Sequence, residues 1–236
     1  LFFYGDFTNV RLHLRGKVAM SAQSMWKMVK IGVPAWFGDM SFSGARLVIT
    51  PLIAAFGTKV VAAYGVGNQV THFGIMILVG IGLGLSSLIG HNLGGKKFER
   101  AKKTADQSIL LGTAIMLVFG ILNFVFAESV MRLFFESDDT VRYGVIMLRI
   151  FAISFPFIGV FIMVSEIHVG VGLNTPAMVV SIVHSWLLEV LPIIMLTQFM
   201  SFDQNAIWWT ISAAGIVSSI IFYAYYRRGR WLTVEV

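Results

Sequence analysis

Six apolar segments, each longer than twenty residues, follow one another between positions 31 and 226. They cover 31–56, 60–89, 107–127, 143–167, 177–200 and 206–226. A helix of about 20 such residues crosses a hydrocarbon core of about 30 Å. Apolar runs of this length, one after another, read as membrane-spanning helices. The fold class is therefore all-α polytopic membrane protein, a six-helix transmembrane bundle. Composition agrees: 57% of the residues are hydrophobic and 13% charged, against about 25% charged in globular domains.

Charge then orients the bundle. Thirteen of the 18 Lys and Arg fall in 6–30, in the 90–106 loop and after position 226. A six-span topology puts these stretches on one side. Lys59, Arg132 and Arg142 fall on the other, beside Glu136, Asp138 and Asp139. Basic loops stay in the cytoplasm, so both ends are expected there, in a multi-pass protein of the cell membrane. Trp208 and Trp209 stand near one interface, and Tyr223, Tyr225, Tyr226 and Trp231 near the other, as aromatic belts do. The net charge of +6 is thereby a matter of topology, and no nucleic-acid partner is expected. With no cysteine in the chain, disulfides and thiolate metal sites are excluded.

Residues 1–5, apolar and without an initiator Met, read as the tail of a preceding membrane helix, so a longer polypeptide is expected. Residues 6–30 read as a cytoplasmic linker, of which 18–30 serves equally as a plain link or as an amphipathic helix at the interface. Residues 31–230 form the transmembrane lobe and 231–236 a cytoplasmic tail. Residues 90–97, GHNLGGKK, imitate a phosphate-binding loop. A helix stands where the strand should be, and Lys97 replaces the hydroxyl residue, so the stretch reads as a topology marker. Gly80 with Gly84, and Gly90 with Gly94, form G-x-x-x-G pairs that predict close packing of the second span.

An ordered series of short motifs carries a resemblance. It comprises 31–34 (IGVP), 56–58 (FGT), 62–65 (AAYG), 87–95 (SLIGHNLGG) with Ala101, 149–156, 170–172 (GVG) with Pro176, and the closing RRGRW ending at Trp231. In register, the chain resembles the C-terminal half of a MATE (multidrug and toxic compound extrusion) transporter. The resemblance implies one lobe of a twelve-helix, two-lobe transporter, with the N-terminal lobe as its partner. It implies a secondary active antiporter that exports amphipathic, cationic organic compounds such as drugs, toxins or metabolites in exchange for Na+ or H+ by alternating access, not an enzyme. Small organic substrates and membrane lipid are the other partners. No cofactor is expected, and no metal beyond Na+ near Asp39. Two alternatives stay open: a lipid-linked oligosaccharide flippase of the same superfamily, and an inactive or scaffolding membrane fragment.

Ionisable residues inside a membrane are costly and mark candidate sites. Asp39, Ser43 and Arg46 share a helix face by spacing, either as a cation or proton site at Asp39 or as a structural Asp39–Arg46 pair. NorM-like members of the family carry an acid within about one position of Asp39. They also place an aspartate two residues after the proline matching Pro156, where this chain has Ile158. Glu166 and His168 either replace that acid or sit among headgroups. Glu189, near mid-span, is protonated, paired across the bundle or facing water, and His184 is a candidate proton relay. On an α-helix the two lie about 140° apart and do not share a face. Cation or proton coupling is thus assigned to Asp39, Glu189, Glu166 and His184. With 12 Met and 20 Phe in the chain, a soft, repackable substrate cavity is assigned to Trp36, Met40, Ser43, Phe155 and Trp186.

Overall fold

The computed structural model describes residues 21–200 and 202–233. The tail assigned to 1–5, most of the linker and the end of the C-terminal tail lie outside the described residues. Residues 1–30 and 31–236 make two units. In the first, the chain is helical from Ala22, with Met25, Trp26 and Met28 exposed. The second is the bundle.

Its helices are α1 (Ala22–Ala54, which begins in the first unit), α2 (Thr58–Gly94), α3 (Phe98–Arg132), α4 (Asp138–Val171), α5 (Thr175–Phe199) and α6 (Gln204–Arg227), followed by a 3-10 turn, Arg230–Thr233. Among the described residues there is no strand. Helices α2 to α6 are long and apolar enough to cross a membrane. The first expected span is helical but falls short on apolarity, because Asp39, Arg46, Pro34, Pro51 and its serines dilute it.

The turns between helices follow local chemistry. Gly172, at φ 74°, closes α4 with N–H donors returning to Val169 and His168 carbonyls, a left-handed cap that suits glycine. Pro176 sits in the first turn of α5, where its missing N–H costs nothing. The imitation phosphate loop is only half a loop: 90–94 are the last residues of α2, and 95–97 make the turn into α3.

Helix α4 is the hub, packing on α2, α3 and α6. Its contacts are backbone-close. A Cβ added at Gly159 would lie 2.6 Å from the Gly112 carbonyl oxygen, and one at Gly170 2.5 Å from that of Ser86. Small residues permit this approach in lipid, where dispersion rather than water exclusion holds helices together. Of the expected pairs on α2, Gly90 packs closely, with an added Cβ 3.0 Å from the Gly170 carbonyl oxygen. Gly80, Gly84 and Gly94 face open space, whereas Gly67, Gly74 and Gly82 are buried against Met147, Phe119 and Glu166. Spacings of seven and eight keep one stripe toward the core, while the i,i+4 pair Gly80/Gly84 lies off it.

Trp208, fully buried, stacks on Tyr64 at 5.5 Å and meets Phe151 edge-on at 6.2 Å. Phe155, expected in a substrate cavity, is a core residue instead: it is fully buried, 5.5 Å from Phe119. At one end of the bundle Lys59 pairs with Asp139, and Arg132 with Glu128 and Asp138. At the other, Asn174 donates to the Ile31 carbonyl and Tyr226 to Asp106.

Candidate functional site

Two helices, α1 and α5, carry most of the expected site residues. The inward stripe of α1 is Gly38, Ala45, Ile49 and Ile53, all buried. Its opposite face holds Trp36, Asp39, Met40, Ser43 and Arg46, all exposed in this lobe. Trp36 is 56% and Met40 48% exposed. Ser43 donates to the Asp39 backbone carbonyl at 3.3 Å. Asp39 and Arg46 do share a face, yet among the described residues no ion pair joins them. Arg46 instead acts electrostatically on Glu189 and Tyr64, and Asp39 on Glu166. Among the described residues the structural Asp39–Arg46 pair is therefore not formed.

Helix α5 supplies the other half. It is α-helical over Thr175–Ile182, π-helical over Val183–Val190, α-helical again over Leu191–Ile194 and π-helical over Met195–Phe199. Proline explains the change. Pro192 has no N–H to give and its ring clashes with the carbonyl four residues back in an α-helix. Here it falls in the first turn of a new α segment just after the π stretch. In a π-helix hydrogen bonds run i→i+5, so residues five apart come to lie one above the other. His184 and Glu189, expected on different faces, therefore meet: Nε2 of His184 lies 3.5 Å from Oε2 of Glu189, with both side chains largely buried.

The other ring nitrogen is held by α6. Nδ1 of His184 lies 2.9 Å from the Ser218 hydroxyl oxygen and 3.2 Å from the Ala214 carbonyl. The carbonyl can only accept, and Ser218 gives its own hydrogen to the Gly215 carbonyl. Nδ1 accordingly carries a hydrogen and donates. A neutral His184 then turns a bare Nε2 lone pair toward Glu189. A bare lone pair facing a carboxylate is repulsive, so one proton belongs between the two groups, on nitrogen or on oxygen. Phe42 of α1 and Phe161 of α4 wall the imidazole at 5.1 and 6.2 Å between centroids.

The remaining expected residues fall elsewhere. Glu166 of α4 is half-buried over Gly82, whose missing side chain makes its room. His168, expected as a candidate for the headgroup region, is fully buried. Its Nδ1 lies 2.8 Å from the Val164 carbonyl, and its ring rests on Phe222 at 5.1 Å. Trp186 is 43% exposed and lies against Gly44 of α1. The sequence reading missed Ser218, Ala214 and Phe161, and placed Phe42 among the soft side chains of a substrate cavity rather than beside His184. Pro192 was the available signal that α5 would depart from the α-helical period.

A family model described as MatE matches residues 34–195. Over 214 residues the chain is 26% identical to the probable multidrug resistance protein YoeA of Bacillus subtilis, covering 91% of this chain and 46% of that protein. It is 23% identical to the multidrug export protein MepA of Staphylococcus haemolyticus, covering 100% and 52%. The chain thus spans about half the length of the curated relatives it matches. Among solved structures, an outward-facing multidrug resistance MATE family transporter of the MOP superfamily superposes with a TM-score of 0.86 at 19% identity, over 97% of this chain and 51% of that one. The Vibrio cholerae MATE transporter VcmN in the bent form gives 0.83 at 18%, over 93% and 49%. These two likenesses speak for the fold.

Proposed function

The chain belongs to the MatE family, and on that premise we propose that it forms one lobe of a multidrug antiporter whose coupling proton moves on and off the His184–Glu189 pair. The observation that carries this reading is the π-helical turn of α5, which brings a titratable base and a carboxyl together inside the lobe. π-Helical turns recur at functional sites. A proton on the pair neutralises Glu189. When it leaves, Arg46 of α1 is the cation in electrostatic reach of the carboxylate. Protonation state thereby decides whether Glu189 draws on α6-anchored His184 or on α1, and alternating access needs such a differential interaction between two arrangements.

The exposed face of α1, with Trp36, Met40, Ser43 and Asp39, together with Trp186 of α5, is the surface offered to an amphipathic organic cation. Soft and aromatic side chains adapt to varied shapes, and Asp39 supplies the charge preference. The N-terminal lobe of the same polypeptide completes the cavity. The basic end of the bundle, where α2 turns into α3 at 95–97, faces the cytoplasm. A flippase would need a cationic cavity for a pyrophosphate; Arg46 shares its open face with Asp39, which favours the cation reading.

Everted vesicles containing the full-length transporter test this, with proton and sodium gradients imposed separately. Dye efflux should follow the proton gradient and fall to background in Glu189→Gln and His184→Gln at normal expression. Efflux driven by sodium alone and indifferent to both substitutions would sink the proposal.

A further inference from the structure

The C-terminal end of α6 builds a second polar site, far in sequence from the coupling pair. Past Arg227 the chain turns at Gly229, φ 70°, a conformation that favours glycine. The turn folds Trp231 back so that its indole stacks on Tyr226 at 5.4 Å and 17°. Both rings are buried, and the Tyr226 hydroxyl donates to Asp106 of α3 at 2.7 Å. The result is a cleft of about 250 Å³ between α3 and α6, lined by Lys102, Asp106, Tyr226, Arg227, Trp231 and Leu232.

Its charges are unequal. Lys102 and Arg227 point two cations at the cleft, and among the described residues neither is in an ion pair. The opposing carboxylate, Asp106, accepts the hydrogen bond of the Tyr226 hydroxyl, leaving two cations against one anion. Arg100, Lys103 and Arg228 stand exposed near the same end and add to a positive field. The position is the level at which the apolar length of α6 ends in Arg227 and the aromatic residues begin, which is where lipid phosphates lie. Leu232 and Trp231 supply an apolar wall for the glycerol side.

We propose that this cleft binds the phosphodiester of a membrane lipid headgroup, held by Lys102 and Arg227. Basic pockets between membrane helices take such headgroups, and a guanidinium matches a phosphate with two parallel donors. The bound lipid would join α3 to α6 beside the Tyr226–Asp106 bond. The proposal is independent of proton coupling.

Native mass spectrometry of the full chain in detergent, titrated separately with phosphatidylglycerol, phosphatidylethanolamine and inorganic phosphate, tests it. One phospholipid should be retained per chain. Lys102→Ala/Arg227→Ala should weaken retention about 30-fold, the loss of two cation contacts to a headgroup. Arg100→Ala/Lys103→Ala removes two cations near the same end of the bundle but outside the cleft and should leave most of the retention intact. Equal loss in both double variants would overturn the site in favour of a diffuse field. Competition by inorganic phosphate at millimolar concentration would overturn the lipid assignment in favour of free phosphate.

Discussion

Helices α3 and α4 meet as two smooth rods, whereas α1 and α5 meet as two irregular ones. The first pair closes backbone to backbone at Gly112, Gly120 and Gly159, with Phe155 and Met163 filling the flanks. The ionisable contacts across it are Arg149 of α4 over the Phe124 ring of α3 and, where the two helices turn, Arg132 paired with Asp138. The second pair also uses small residues, Gly38 against Ser181 and Gly44 against Trp186. There the helices carry Asp39, Arg46, His184 and Glu189, four of the five prolines, and π-helical stretches. Contacts between α1 and its neighbours are sparse beside those of α4. In lipid, tight packing is the main source of helix association, so the α3–α4 seam is the part that cannot move without loss. The α1–α5 side gives up packing for polar groups that can change partner.

The largest test of that contrast is Gly159→Leu. A side chain there meets the backbone of α3, which cannot step aside, and the chain should fail to accumulate as a folded, detergent-stable species. Recovery of wild-type amounts would remove the seam from its structural role. Phe155→Ala should follow, lowering unfolding free energy in mixed micelles by about 3–5 kcal/mol while leaving the coupling pair in place. Pro192→Ala should do the reverse. It restores an N–H donor to α5, favours the α-helical period and carries Glu189 away from His184. We expect folding unchanged or improved and proton-driven efflux lost, with a π-to-α change visible as altered helix geometry in a solved structure. Ser218→Ala should cost less, a shift in the pH profile of efflux with protein yield unchanged, because Ala214 still holds Nδ1. Lys59→Ala should be smallest. Its pair with Asp139 is exposed at the bundle end, where ion pairs contribute little, and neither melting nor efflux should move measurably.

The helical segments and the family were legible from residue order, since apolar run length and motif series are local properties. The site was legible only in its members. Asp39, Glu189, Glu166 and His184 stood out because charge in an apolar run is conspicuous. Which of them meet was not, because the 3.6-residue period used to place faces fails where Pro192 forces α5 to unwind. His168 misled for the opposite reason. Its place near a helix end suggested water, but Phe222 and Tyr225 of another helix cover it.

Run length and charge asymmetry, read along the chain, therefore determined that this protein is a helical membrane bundle and which residues were expensive enough to matter. Both follow from transfer out of water, a cost each segment bears by itself. Only the tertiary structure decided that Phe155 fills core, that Gly67, Gly74 and Gly82 rather than Gly80 and Gly84 take the close contacts, and that His184 lies over Glu189. Those outcomes depend on which neighbour arrives at each face, and in α5 on a change of helical period that no fixed spacing rule contains.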